Sequence, residues 1–432
     1  MHSGFWKADW FLGVVVVALF ALFTSISDLV PGLERKAYDA GLQVAARSPS
    51  DKVAVIAIDQ QSIDNMGRWP WPRDTHARMI ELLANAKARA IGYLVFFAEP
   101  ENEAINRTLG KLKEAAALPA SETQTPSGLE ILIREAQEQF NTDQKLAAAM
   151  TRAGNVVLPL LFVLEAPKGR PERPLPLFVR RNAVAGGAVA EPSSALAIST
   201  LDVFGAAAAA LGHLNAIIDT DGAVRSEPLI VNHYGEAYPS VAASLVARSL
   251  NLAPKDIAVD GDRVRIGALQ APTDDSAHMR PAFYKYGGER APFTEDSFFD
   301  VANGKIAPEK YRDKIVLVGP TAAGLANFFV TPVHPAMPAV ALEAQVVSSL
   351  LQEHFFIVPP WGRIAEMAAL LAVALYLVVA LPRLSAGAGL AASAAAVVVL
   401  ITLHFVLMMR ASVWLQLMAP AALLVIGHAV LA

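Results

Sequence analysis

Two carboxylates stand just past the first two apolar runs of the chain: Asp59 follows Val53–Ile58, and Glu99 follows Ile91–Phe97. If those runs are neighbouring parallel strands, both acids lie at the carboxyl edge of one sheet, where α/β folds take their ligands. A pair so placed has the reach for acid/base chemistry. The plainer reading is that each caps a helix or pairs with Arg68 or Arg73. Between them lies Gly67-Arg68-Trp69-Pro70-Trp71-Pro72-Arg73. Its prolines preset an extended backbone, so Trp69 and Trp71 offer two broad amphipathic surfaces flanked by the guanidiniums of Arg68 and Arg73. That composition suits a ligand pocket, an anion clamp or a partner surface. More simply, it suits an anchored loop whose tryptophans bury themselves against a sheet.

Two further motifs invite chemistry. Asp219-Thr220-Asp221-Gly222 resembles the start of a calcium loop, but a third oxygen ligand and a distal Glu are needed, and Ala223 and Ile230 stand in those places. It reads as a hairpin turn, with Arg225 able to bridge Asp219 and Asp221. Lys314–Gly324 is a strand followed by G-x-x-x-x-G. A phosphate loop then requires Lys and Ser or Thr, and Leu325 and Ala326 replace them. What remains is a tight glycine turn; as a ligand site it would hold only a small anion on its N–H groups, with Thr321 as the candidate contact.

The exclusions are firm. With no cysteine, disulfides, thiolate metal sites and cysteine nucleophiles are ruled out. His76, His213, His233, His278 and His334 lack metal-ligand spacing, and no Ser/His/Asp pattern stands out. We expect no catalytic residue, no metal and no cofactor. The formal charge of −4 argues against a nucleic-acid partner.

The elements that must position these residues are legible. Near-continuous apolar runs at Val53–Ile58, Ile91–Phe97, Val156–Phe162 and Ile315–Val318 read as buried strands. Met79, Ile80, Leu83 and Ala86 share one face of a helix that Asp74 or Thr75 can cap. Leu342, Val346, Val347, Leu350 and Leu351 share the face of another. His213–Ile218 and Val224–Val231 flank the Asp-Gly turn as hairpin arms. Residues 101–145 read as two polar helices joined by a Pro/Ser/Thr loop, and 166–177, with its prolines, as a loop. Strands alternating with helices predict an α/β domain with a layered mixed sheet.

Hydrophobic residues make up 54% and charged ones 18%, against about 25% charged in soluble domains. The excess lies in four uncharged stretches near the length of a membrane span. They place a cytoplasmic N-terminus at 1–9 and a transmembrane helix at 10–30. An extracytoplasmic domain follows at 31–358, then spans at 361–382, 385–409 and 412–432. Only Lys7 precedes the first stretch and no small-residue cleavage site follows it, so it reads as an uncleaved anchor. At about 1.5 Å per residue, Glu366 and His404 lie at similar depth, about 6–7 Å from the outer ends of their spans. They are candidates for an intramembrane polar pair. His428 lies roughly 16 Å deeper and cannot join them.

Taken together, these residues resemble a family. One span precedes a large outer domain and three close spans follow it. The outer domain carries Ala57-Ile58-Asp59, the 67–73 segment, Phe97-Ala98-Glu99-Pro100, the Asp219–Arg225 turn and Val318–Leu325. Thr331-Pro332 and Met337-Pro338 come after them. This is similar to the type-two CHASE domain, an extracellular sensory domain associated with cyclases and histidine kinases, over about residues 35–355. The sequence departs from that pattern at Asn327, where Asp is expected, and at Pro338–Glu343, which lacks the family's Gly-Val-Glu. The resemblance implies a bacterial inner-membrane receptor input, a homodimer in a lipid bilayer that detects an unknown extracytoplasmic ligand or protein. It would relay the signal to an output domain after Ala432, foremost a class III adenylate or guanylate cyclase. A histidine kinase, a diguanylate cyclase and a Ser/Thr kinase are the other outputs it implies. An accessory membrane protein that recruits a separate enzyme is the alternative, and an outer-leaflet enzyme using Asp59 and Glu99 a third.

Overall fold

The structure, a computed structural model, describes residues 9–45, 47–116, 128–171, 174–186, 192–287 and 291–431. Most of the expected cytoplasmic segment 1–9 and the Pro/Ser/Thr loop at 117–127 lie outside the described residues.

The chain opens with helix α1, Asp9–Ile26, and α2, Leu29–Val44. An α/β domain follows: β1 Val53–Ile58, α3 Gln60–Met66, α4 Arg73–Asn85 and β2 Ala90–Tyr93. Next come α5 Glu103–Ala116, α6 Gly128–Phe140, α7 Thr142–Ala153 and β3 Val156–Val163. Then come β4 Leu196–Ile198, β5 Ala210–His213, α8 Val241–Ser249 and β6 Thr294–Ser297. The domain closes with β7 Ile315–Pro320 and α9 Ala339–Gln352. The main sheet runs β6-β1-β7-β2-β3. β5 continues it in parallel along the first part of β3, and β4 pairs antiparallel with its end. The sheet is mixed, as expected.

Alternation along the strands builds two cores. Val53, Val55, Ile315 and Leu317 face α8 and α9, whereas Ala54, Ile56, Ile58, Val316 and Val318 face α4 and α7. Both faces are apolar because both are covered, which is why the strands read as unbroken hydrophobic runs. α9 carries the expected Leu342, Val346, Val347 and Leu350 face, and it is buried all along Val340–Leu350.

Several local expectations are corrected. The second strand ends at Tyr93 rather than Phe97. Neither Asp74 nor Thr75 caps α4. The cap position is Pro72, and the carboxylate of Glu101 accepts the Arg73 N–H at 3.2 Å. The Asp-Gly turn forms, with Asp219 N–H donating to the Ala223 carbonyl at 2.9 Å. Its arms, however, meet only at Ile217 and Ser226. Beyond that bridge one arm joins the main sheet as β5, and the other pairs with Glu236–Pro239.

Among the described residues two helices are long and apolar enough to cross a membrane: α10, Gly362–Arg383, and α11, Ala386–Ala411. α1 stops at Ile26 and bends by 74° into α2, so this pair is a third crossing only if taken as one broken span. The last helix, α12, Met418–Leu431, is apolar but has 14 residues. The expected 412–432 helix therefore begins late, because 412–414 pairs with Ile357 instead. By length and composition the described residues give two crossings, or three with the broken pair counted as one.

Beside α9 the domain buries two acids. Glu227 Oε1 and Glu343 Oε2 have no hydrogen-bond partner among the described residues. Burial, and for Glu227 also the charge of Glu343, hold both well above the ordinary carboxylate range, Glu343 at about 8. A raised folded-state pKa gives stability that is complete below the unfolded value, about 4.5, and lost as pH rises through the folded value. Thermal unfolding in detergent between pH 5 and about 8 should therefore show Glu343→Gln gaining on wild type as pH rises. A constant offset between the two proteins would contradict this.

Candidate functional site

Helix α2 carries a buried stripe of Val30, Glu34, Tyr38, Gly41 and Leu42. The spacing i, i+4, i+8, i+11, i+12 is one helical face. Its two ends of contact differ in kind, and they join the outer domain to the apolar helices.

Towards the outer domain stands Arg225, 8% exposed at its side chain. A guanidinium has five N–H donors in a fixed fork, and all are used. Nε and Nη2 donate to Asp39 at 2.7 and 2.8 Å. Nη1 donates to Asp219 at 2.7 Å and to Asp221 at 2.9 Å, and Nη2 to Asp221 at 2.8 Å. Arg35 joins from α2, 3.3 Å from Asp221 and paired with Asp28. The hydrogen bond from Arg225 holds the Asp221 carboxyl down at about 2. The turn Asp219–Gly222 aims its two acids at Arg225, and they hold this guanidinium rather than a calcium ion.

Towards the apolar helices, α2 is held by backbone and packing. Glu34 Oε1 accepts the Ala419 N–H of α12 at 2.8 Å. His404 of α11 lies with Nε2 3.1 Å from the Ala37 carbonyl and Nδ1 3.3 Å from that of Leu415. A neutral imidazole donates only one of these. A Cβ on Gly41 would overlap the Met408 sulfur of α11, so glycine permits the close approach. Tyr38 and Leu42 share one core with Ala341 and Leu342 of α9, Phe356 and Met408. The chain leaving α9 is strapped in as well: Phe356 N–H donates to the Arg280 carbonyl at 3.0 Å, and Trp414 N–H to that of Ile357 at 2.9 Å. Against the same elements lies a cavity.

The other candidates lie at the carboxyl edge of the sheet. β7 lies between β1 and β2, so the strands bearing Asp59 and Glu99 are not neighbours. Asp59 caps α3, accepting from Ser62 N–H at 2.8 Å and from the Ser297 hydroxyl at 2.9 Å. Glu99 is exposed, and its backbone carbonyl accepts from Arg73 at 2.8 Å. Trp71 is buried and donates to the Gly67 carbonyl at 2.9 Å; Trp69 packs on Trp71 and His76. Arg73 pairs with Asp143 at 3.2 Å and lies over Phe97, while Arg68 is exposed. Thr321 and Ala322 donate their N–H groups to the Ile58 carbonyl, so they are not free for an anion. The expected Glu366–His404 pair is replaced. His404 turns to α2, and Glu366 accepts the Gln416 N–H at 2.8 Å, because the late start of α12 leaves that N–H to be satisfied. His428 meets Ser393 at 3.0 Å.

Sequence reasoning found three of the clamp residues, Asp219, Asp221 and Arg225, and missed Asp39, Glu34 and Tyr38. For Glu34 and Tyr38 the signal was the i, i+4 stripe directly after the first apolar stretch, where one acid and one aromatic take core positions, whereas Asp39 lies off that stripe. A family model described as the CHASE2 domain matches residues 13–379. No curated protein and no solved structure matches the chain.

Removing one partner of a buried ion pair costs about 3–5 kcal/mol, because the other charges stay uncompensated. Arg225→Gln is therefore expected to lower the thermal midpoint strongly in detergent, and Arg225→Lys to restore only part of it, lacking the fork. A double-mutant cycle between Arg225 and Asp39 should give coupling of about 1–3 kcal/mol; additive effects would contradict the geometry. His404→Ala, which frees the Ala37 carbonyl, should destabilise by about 1–3 kcal/mol, read by the same assay.

Proposed function

The chain belongs to the CHASE2 domain family, sensory extracellular domains of signalling proteins, and from that premise we propose that it is the input half of a bacterial transmembrane receptor. In this reading the domain at 31–358 faces the outside of the inner membrane and the apolar helices carry its state inward. Its output is a cytoplasmic class III nucleotide cyclase, and because such active sites form between paired domains the receptor is a homodimer.

The observation that supports it is the double attachment of α2. One side is tied to the sensor domain through Arg225, the other to α11 and α12 through His404, Gly41 and Glu34. A shift of the outer domain about Arg225 cannot leave α2 in place without breaking charge-assisted bonds. Any signal of this kind needs two states that a ligand distinguishes by affinity. The acid/base reading of Asp59 and Glu99 has no support, since β7 parts their strands and Asp59 is committed to α3.

The test uses the native gene product, purified whole into lipid. It is expected to form cyclic nucleotide from ATP or GTP. Gly41→Leu, which wedges α2 away from Met408, is expected to change that rate by about fivefold or more, the lower range of allosteric couplings. A product that forms no cyclic nucleotide rules out the cyclase output, and an unchanged rate in Gly41→Leu rules out the relay through α2.

A further inference from the structure

The cavity at the junction measures about 420 Å³, within the roughly 300–1,000 Å³ of small-molecule sites. Phe20 of α1, Val30 of α2 and Leu370 of α10 form its apolar wall. Phe20 lies in the second half of α1, and Leu370 in the first half of α10. That wall therefore sits where the apolar helices meet the sensor domain.

The rest of the lining carries polar groups without partners among the described residues. Glu34 is 4% exposed; Oε1 takes the Ala419 N–H and Oε2 has no partner. Tyr38 is 1% exposed and its hydroxyl has no partner among the described residues, nor has the indole N–H of Trp414, whose ring lies 4.9 Å from that of Tyr38. Arg280 places its guanidinium 5.2 Å over the Trp414 ring and makes no hydrogen bond or ion pair among the described residues. Arg225 and Arg35, on the same cavity, are committed to carboxylates. Buried polar atoms are almost always paired, so three buried groups without partners, beside the half-buried Arg280, point to what fills the space.

The chemistry is asymmetric. A guanidinium, a hydroxyl and an indole N–H are donors suited to a phosphate or carboxylate. The free carboxylate oxygen, one helical turn from Tyr38, needs a donor, and a cation suits it best. The apolar wall takes alkyl carbons. We propose that the cavity holds a zwitterionic phospholipid headgroup drawn from the outer leaflet, its phosphate on Arg280, Tyr38 and Trp414 and its primary ammonium on Glu34. Phosphatidylethanolamine has this chemistry. A choline headgroup has no N–H to give Glu34, and a glycerol headgroup brings the phosphate charge with no cation to balance Glu34. As a signalling ligand the lipid rests on the α2 relay proposed above, whereas its binding does not.

The test titrates detergent-purified, delipidated chain with dihexanoyl phosphatidylethanolamine, the matching choline and glycerol lipids, and free phosphoethanolamine. The ethanolamine lipid is expected to saturate one site per chain at least about tenfold more tightly than the choline lipid, a difference of about 1.4 kcal/mol. Glu34→Gln should erase that discrimination, and Arg280→Gln should weaken every phosphate-bearing ligand. Arg263→Gln, at an exposed position of the outer domain, should change nothing. Tyr38→Phe removes one hydroxyl and keeps the packing; it should also weaken binding if the other two variants fail to fold. Equal affinity for ethanolamine and choline lipids, full binding by Glu34→Gln, or no saturable site overturns the assignment. Phosphoethanolamine binding as tightly as the lipid keeps the polar recognition but overturns the membrane as its source. Failed binding in a receptor whose output still responds to Gly41→Leu sinks the ligand and leaves the relay standing.

Discussion

One guanidinium organises this molecule. Arg225 donates five hydrogen bonds to three carboxylates that come from two places in the chain, Asp39 on α2 and Asp219 and Asp221 on the turn. Each part is costly without the others. Three clustered carboxylates repel, and a buried guanidinium lacking acceptors keeps its full desolvation penalty. Only with α2 docked are both problems solved together. The position of α2 relative to the sensor domain is thereby set by charge and by the planar fork, which tolerates little rotation.

What α2 is set against is a rigid platform. The main sheet is covered on both faces, with α8 and α9 on one and α4 and α7 on the other. α9 lies on the sheet through Val340, Ala344 and Val347, and its Ala341 and Leu342 belong to the core that also holds Tyr38 and Leu42 of α2. The helix that closes the sensor domain therefore shares a core with α2. Close-packed interfaces of this kind move between discrete arrangements rather than deforming smoothly. The carboxyl edge of the sheet, where α/β domains usually bind ligands, is largely occupied by its own loops. Ser62 and Ser297 engage Asp59, Trp71 is buried, and Ile58 takes the free N–H groups of the glycine turn. Uncommitted polar groups are found instead beside the apolar helices.

Local pattern was enough for the strands Val53–Ile58, Val156–Val163 and Ile315–Pro320, since a strand covered on both faces writes itself as an apolar run. The same holds for α4, α9 and the long apolar helices. It also made Arg225 a plausible bridge between Asp219 and Asp221, because the turn brings them together over six residues. It misjudged the cap of α4, where Glu101 reaches in from another loop, and the pairing of Glu366 with His404. Matched depth says nothing of rotation, and each found a nearer backbone group.

By itself, then, the sequence determined which segments are apolar, which alternate, and where the chain must turn, because those follow from side-chain type and a period of two or 3.6 residues. Only the tertiary structure decided that β7 enters between β1 and β2, parting Asp59 from Glu99. Only it brought Asp39 to Arg225 across 186 positions of chain, and Ala37 to His404 across 367. Strand order and helix docking are settled by burial and charge balance summed over the whole domain, and no local window of residue types carries that sum.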